Sequence, residues 1–306
     1  MSERRVAAID CGTNTIKLFI GSPPRAEVRE TRMVRLGEGV DTSGELSAAA
    51  LARTFAAIDE YAALLIDHPA SRLRFCATSA TRDAHNGSVF TAGVEARLGV
   101  LPEVLSGEEE ARLAFDGAVR NLATPPAHPV LVVDIGGGST ELILGDASGP
   151  TVAHSMDIGS VRLHERRLHA DPPTAGEVAA CVADIDAALD ASPVDIAAAA
   201  TVVGVAGTVT TVGAGHLDLP AYDADAVDQT VVPVAAARTW IASLVAMPLT
   251  DRLGLPYLHP GRADVIDAGV LILDRVLARA AVDSFVVSEA DILDGIAWSL
   301  VQTEGT

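Results

Sequence analysis

Aromatic side chains are scarce in this 306-residue chain, at 4% of the total, so alanine and valine must carry much of the packing. Cysteine is scarcer still. Cys11, Cys76 and Cys181 show no paired or metal-ligand spacing, which argues against a disulfide framework and a thiolate metal site and fits a reducing, cytoplasmic setting. Positive charge is also short: 22 Lys and Arg face 41 Asp and Glu, a formal net charge of −19. That balance argues against nonspecific nucleic-acid binding. It also means that an anionic substrate needs metal ions or a local group of basic side chains. The opening residues MSERR run straight into a strand pattern, so no signal peptide is expected. One uncharged window, Ile196 to Gly215, is twenty residues long, as long as a membrane span. It holds four glycines and four threonines, and its nearest charged flanks are Asp195 and Asp218 rather than Lys or Arg. It reads as a buried strand and a glycine loop, with no membrane association.

Apolar residues reach 49%, enough for real cores, and the length predicts about two domains. The stretch VLVVDIGGGSTELILG, Val130 to Gly145, reads as strand, tight turn, strand. If the glycines close a hairpin, Ile135 lies opposite Thr140 and Asp134 opposite Glu141. Like charges in directly opposed positions are destabilising, so the pair implies a cation or a task needing two acids. The bland alternative is a glycine hairpin with two solvated acids. Residues 6–21, VAAIDCGTNTIKLFIG, align with 130–145 without a gap at an offset of 124, with five of sixteen positions identical. Two such hairpins, each opening a half of similar size, predict a duplicated domain with a cleft between the copies. In the first copy Lys17 replaces Glu141, so that hairpin presents Asp10 and Lys17. Small residues in both turns would let backbone N–H groups approach phosphate oxygens. The proline-rich run 123–129 marks the boundary. Residues 1–125 then form one domain and 126–306 the second, with the last helix free to dock on the first.

Strands are expected over Val28–Leu36, Leu73–Thr78, Glu103–Leu105, Thr201–Val205 and Phe285–Ser288. Helices are expected over Ser47–Leu65, Ser88–Leu98, Thr174–Leu189 and Ile292–Gln302, and from Pro260 to about Ala281. Alternation of the two types gives an α/β class. Ser106 with Glu109 three residues on reads as a capping box starting a helix to about Leu122. In that first turn Glu109 shares a face with Arg112, Asp116 and Arg120 and reads as solvated. Glu110 shares a face with Leu113, Ala114, Gly117 and Ala118. A carboxylate there suits a cleft, and partial burial would raise its pKa and improve it as a general base. Acids in a first turn also simply suit the helix dipole. Gly207 and Thr208 follow the strand at 201–205, where Thr208 could cap a helix facing an anion.

These motifs, DCGTNT (10–15), ATSATRDA (77–84), SGEEEARLAF (106–115), DIGGGSTEL (134–142), GSVRL (159–163), GVAGT (204–208) and PGRAD (260–264), resemble the Ppx/GppA phosphatases. The resemblance covers nearly the whole chain. It implies two ribonuclease-H-like domains of the actin-like ATPase fold with the site between them. It implies a cytoplasmic, magnesium-dependent hydrolase of terminal phosphoanhydride bonds. By resemblance Glu110 activates water, while Asp134 and Glu141 bind metal or position that water, with Asp10 as a further metal ligand. The turns Gly12, Thr13, Asn14 and Gly136, Gly137, Gly138, Ser139, with Gly207 and Thr208, are then phosphate cradles. Lys17, Arg82 and Arg262 are basic phosphate contacts, although Arg82 and Arg262 read equally well as ion-paired with Asp83 and Asp264. The expected substrate is linear inorganic polyphosphate. The alternatives are a guanosine pentaphosphate phosphohydrolase, a kinase, and a non-catalytic sensor of guanosine penta- or tetraphosphate. A homodimer is an implication of the resemblance alone. The chain departs from many relatives in lacking a C-terminal helical extension and in carrying Leu293 where arginine is expected.

Overall fold

The computed structural model describes residues 5–302. Contacts divide the chain into two compact units, one running to Asn121 and resuming at Ile292, the other spanning Leu122–Asp291.

The first unit opens with β1 (Val6–Cys11), apolar but for Asp10 and with every residue buried, as a central strand must be. β2 (Thr15–Ser22) pairs with it antiparallel, and β3 (Arg25–Met33) pairs with β2. The charge-rich sequence of β3 suits its edge position. After α1 (Val40–Ser43) comes α2 (Ala48–Asp67), started by the Ser47 hydroxyl accepting the Ala50 N–H. β4 (Leu73–Ala77) lies parallel to β1, and α3 (Ser79–Asp83) and α4 (Gly87–Leu98) lead to β5 (Glu103–Val104) and α5 (Gly107–Arg120). The sheet order is β3-β2-β1-β4-β5. Its core gathers Ile9, Leu18, Tyr61, Phe75 and Phe90.

The second unit repeats this plan. β6 (Val130–Ile135), β7 (Thr140–Asp146) and β8 (Gly149–Met156) form the antiparallel meander. α6 (Ser160–Arg167) and α7 (Ala175–Ala191) precede β9 (Thr201–Val205), which lies parallel to β6. Then follow α8 (Ala206–His216), α9 (Ala224–Val227), β10 (Val231–Pro233), α10 (Val234–Val245) and α11 (Leu249–Arg252). α12 (Ile266–Leu277) and β11 (Ser284–Val287) close the unit. The order β10-β11-β9-β6-β7-β8 reproduces the first sheet with β10 added at one edge. Both sheets join an antiparallel three-stranded meander to parallel strands, the second closing on β10, antiparallel to β11, and this plan is ribonuclease-H-like. α12 is buried along nearly all its length and forms the spine of the second core.

The chain ends in α13 (Ile292–Gln302), which belongs to the first unit and packs on α5. Asp294 receives both terminal nitrogens of Arg29 at 3.0 and 2.9 Å. Leu293, where a basic side chain was expected, is 1% exposed and apolar packing takes the place of a charge. The helix expected from Pro260 begins later: Pro260–Arg262 is a single 3-10 turn, and α12 starts at Ile266. No helix among the described residues is long and apolar enough to cross a membrane, and Ile196 to Gly215 is a short 3-10 turn, β9 and most of α8.

Candidate active site

The hairpin of the second unit has the register read from its sequence: Asp134 faces Glu141 and Ile135 faces Thr140. Both acids are buried, at 7% and 2% exposure. The turn closes by the Gly136 N–H donating to the Ser139 carbonyl at 3.0 Å. Its carbonyls are taken up from one side by α6. The Ser160 N–H donates to Gly136 O at 2.9 Å, and the Val161 and Arg162 N–H groups donate to Gly137 O at 2.9 and 3.1 Å. Arg162 Nε donates to Gly138 O at 2.7 Å. A trans peptide points its N–H opposite to its carbonyl. The N–H groups of Gly137, Gly138 and Ser139 are therefore turned away from α6, as a cradle for an anion requires. The approach is close: a Cβ at Gly159 would sit 2.5 Å from the Gly137 carbonyl carbon, so only glycine fits. Glu141 is held in turn by Ser155 on β8, whose hydroxyl donates to Oε1 at 2.6 Å. No strand is expected at Ser155 from the sequence, so its place beside Glu141 comes from the structure alone.

The first hairpin is built alike, with the Gly12 N–H on Thr15 O at 2.9 Å and Asp10 facing Lys17. Here a loop rather than a helix takes the carbonyls. Gly37 donates to Thr13 O at 2.9 Å, and Val34 and Arg35 donate to Asn14 O at 3.0 and 2.9 Å. The Asn14 and Thr15 N–H groups thus point away from that loop. The hydroxyls of Thr13 and Ser79 lie 3.0 Å apart, tying this turn to α3.

Glu110 occupies the first turn of α5 and is 6% exposed. Arg82 Nη1 donates to its Oε2 and to the Leu105 carbonyl, both at 3.0 Å. Arg82 is thus paired with Glu110, not with its neighbour Asp83 as spacing alone allowed. Burial pushes the Glu110 carboxyl above the usual range and the Asp83 charge adds to this, while Arg82 and the Thr78 hydroxyl pull the other way. The capping box is half formed. Ser106 accepts the Glu109 N–H at 3.2 Å, but the Glu109 carboxylate turns to Arg74, 2.9 Å away, rather than back to the cap.

Gly207 and Thr208 stand in the first turn of α8. That helix begins at Ala206 in the left-handed region (φ 65°), so Thr208 lies inside the helix, buried, and does not cap it. Arg262 packs its guanidinium on Gly207, where a Cβ would fall 2.4 Å from Cζ. Burial lowers the pKa of Arg262, and the Tyr222, Glu289 and Asp291 charges oppose that shift.

Among the described residues no three His, Cys, Asp or Glu side chains are grouped to hold a metal ion. Of the expected ligands Asp10, Asp134 and Glu141, the last two share one hairpin of the second unit, and Asp10 belongs to the first unit. Two buried carboxylates in directly opposed positions are still a hard-oxygen donor pair that a cation stabilises. Magnesium uses one or two carboxylates, keeps several waters and completes its shell with substrate phosphates. The Asp134–Glu141 pair fits that habit.

Two ribonuclease-H-like sheets, each with a glycine hairpin on its first strand pair, define a protein of the actin-like ATPase fold. Residues 25–304 match the Ppx/GppA phosphatase family, and the chain belongs to that family. It is 46% identical to Exopolyphosphatase 2 of Mycobacterium tuberculosis over 98% of this chain and 99% of that protein. The crystal structure of an exopolyphosphatase-like protein superposes with a TM-score of 0.94 at 42% identity, covering 98% of this chain and 99% of that one. A guanosine-5'-triphosphate,3'-diphosphate pyrophosphatase of Photobacterium profundum is 35% identical over 61% of this chain and 36% of its own length.

Proposed function

We propose that this protein is an exopolyphosphatase that removes the terminal phosphate of linear inorganic polyphosphate by water attack. The observation that carries this reading is the likeness at 46% identity, over nearly the full length of both chains, to Exopolyphosphatase 2. The site residues support it. Glu110 serves as general base: burial raises its affinity for a proton, which improves a carboxylate for this task. Arg82 holds its carboxylate by Oε2 and so fixes the direction in which the proton is taken. The turns at Gly12–Asn14 and Gly136–Ser139 bind phosphate oxygens through backbone N–H groups, with Lys17, Gly207, Thr208 and Arg262 as further contacts. Asp134 and Glu141 would hold magnesium (Mg2+), with Asp10 on the first hairpin as a further acid. When bound, that ion supplies charge neutralisation for the phosphoryl oxygens. Most of the rate enhancement then comes from positioning and electrostatics, since polyphosphate is densely anionic and the chain itself is at −19.

Hydrolysis of guanosine pentaphosphate is the second reading, favoured by the partial likeness to the Photobacterium profundum enzyme. One experiment separates them: phosphate release from long polyphosphate, short polyphosphate, guanosine pentaphosphate and ATP, with and without magnesium. Release from polyphosphate well above the others is expected, and Glu110→Gln should cost about 10²–10⁴ in turnover with substrate binding kept. Tight guanosine-nucleotide binding with no release from any substrate would replace the enzyme by a sensor. A Glu110→Gln protein with normal turnover would remove Glu110 as the base.

A further inference from the structure

The second unit buries a charge cluster that none of these steps uses. Asp267, in the first turn of α12, is 0% exposed, and Arg252, at the end of α11, is 2% exposed. Arg252 Nη1 lies 2.9 Å from Asp267 Oδ2 without hydrogen-bond alignment. His164 Nδ1, on α6, lies 3.1 Å from Asp267 Oδ1. Asp171, just beyond α6, stands 3.5 Å from Arg252 Nη2 and accepts the Leu249 N–H that opens α11 at 2.7 Å. Buried ion pairs seldom repay their desolvation, and apolar residues of similar volume are often as stable or more so. A misaligned pair repays it less. The cluster needs a reason other than stability.

Its place supplies one. His164 stands on α6 one turn beyond Ser160, Val161 and Arg162, the residues that hold the carbonyls of the Gly136–Ser139 turn. Two residues after Asp267 comes Gly269. A Cβ there would fall 2.4 Å from Thr208 Oγ1 and 3.2 Å from Ser160 Cβ. The first turn of α12 therefore touches the start of α6 and the start of α8 together: the start of α6 holds the carbonyls of the Gly136–Ser139 turn, and the start of α8 carries Gly207 and Thr208. Any substituent at Gly269 would press them apart.

We propose that Arg252, Asp267 and His164, with Gly269, form a positioning device that holds the Gly136–Ser139 and Gly207–Thr208 turns at one fixed spacing for a polyphosphate. The device acts through α6 and α8 and touches no substrate. The inference rests on reading both turns as phosphate cradles. It gives a role to a fully buried Asp in the first turn of α12.

The test uses the full chain and reads tripolyphosphate affinity by calorimetry, the KM and kcat of phosphate release, and the thermal midpoint. Asp267→Asn alone strands Arg252 and is expected to lower the midpoint. The combined change Arg252→Met with Asp267→Leu is expected to recover the midpoint, while tripolyphosphate binding stays about tenfold weaker and KM rises by a similar factor. His164→Asn, whose amide can stand where Nδ1 stands, is expected to keep wild-type affinity; His164→Leu is expected to lose it in part. Gly269→Ala is expected to weaken binding like the combined variant. Wild-type affinity in a stable Arg252→Met, Asp267→Leu protein overturns the proposal alone. A wild-type protein that neither binds tripolyphosphate nor releases phosphate overturns the reading of the turns and the proposal with it.

Discussion

The two hairpins share a backbone and differ at the residue opposite the aspartate. Asp10 faces Lys17 in the first, and Asp134 faces Glu141 in the second. The strand behind differs too: Lys17 stands opposite Thr31, whereas Glu141 stands opposite Ser155 and takes its hydroxyl hydrogen bond. Lys17 is the only lysine in the 306 residues; every other basic side chain, histidine aside, is arginine. A compact ammonium is a point charge, without the broad planar fork of a guanidinium. In the duplicated frame the backbone does the same work twice, and a single residue per copy assigns one hairpin to a cation and the other to an acid pair. The turns also differ in what steadies them, a loop at 34–37 in the first and the start of α6 in the second.

Converting one hairpin into the other breaks this comparison most severely. Glu141→Lys places an ammonium where the proposed metal ligand stands, and turnover should fall by about 10³-fold, since loss of one preorganised charge-stabilising group costs about that much. Phosphate release across a magnesium titration measures it, and activity within tenfold of wild type would refute the division of labour. Lys17→Ala should act mainly on KM, by about 10²-fold at low salt and less at high salt, as expected for a lost charge-assisted contact. The single lysine makes a second measurement direct. Reductive methylation can reach one side chain besides the N-terminus, and polyphosphate should protect it.

Ser155→Ala sharpens the comparison within the second hairpin. A hydrogen bond to a charged group is worth about 1.5–3 kcal/mol, so half-saturating magnesium should rise about tenfold or more. Glu141 would then behave more like a residue with a non-donating neighbour. Next in size is Arg82→Ala. Burial already raises the Glu110 pKa, and Arg82 opposes that rise. Without Arg82 the carboxyl holds its proton to higher pH, so the deprotonated fraction falls most at the acid end. The acid limb of the kcat/KM profile should move to higher pH, with a loss of about fivefold near pH 6 and less near pH 8. A purely phosphate-binding Arg82 would instead lower activity evenly across pH.

Much of this is legible in the sequence. Counting outward from the glycine turn pairs Asp134 with Glu141, and the gapless repeat carries the same pairing to Asp10 and Lys17. Helical periodicity also set Glu110 on the buried face of α5. Other features depend on partners that sequence spacing does not reveal. β8 reads GPTVAHSM, without the alternation that marks a strand, so Ser155 went unseen. Asp83 sits beside Arg82 in the chain, yet Glu110, 28 residues on, is the partner because α5 brings it there. Thr208 looked like a cap because hydroxyls favour that role, but a left-handed Ala206 starts the helix two residues earlier. Asp267 carries no signal of its own in the sequence, and its partners Arg252 and His164 come from two other helices.

The smallest expected effect is the most discriminating, because it compares adjacent residues on one helix. Glu109 and Glu110 have the same chemistry and stand in the same first turn, so both feel the helix dipole. Glu109 is 38% exposed at its side chain and pairs with Arg74, which also binds Glu103 and the Ser299 hydroxyl. With two other acceptors in place, Arg74 loses little when Glu109 becomes neutral, and a pair this exposed is worth at most about 1 kcal/mol. Glu109→Gln should therefore leave turnover within about twofold and the thermal midpoint nearly unmoved. Were turnover to fall as far as in Glu110→Gln, the dipole or the net charge of the turn would be the active quantity. Burial of a single carboxylate would then no longer explain the difference between the two glutamates.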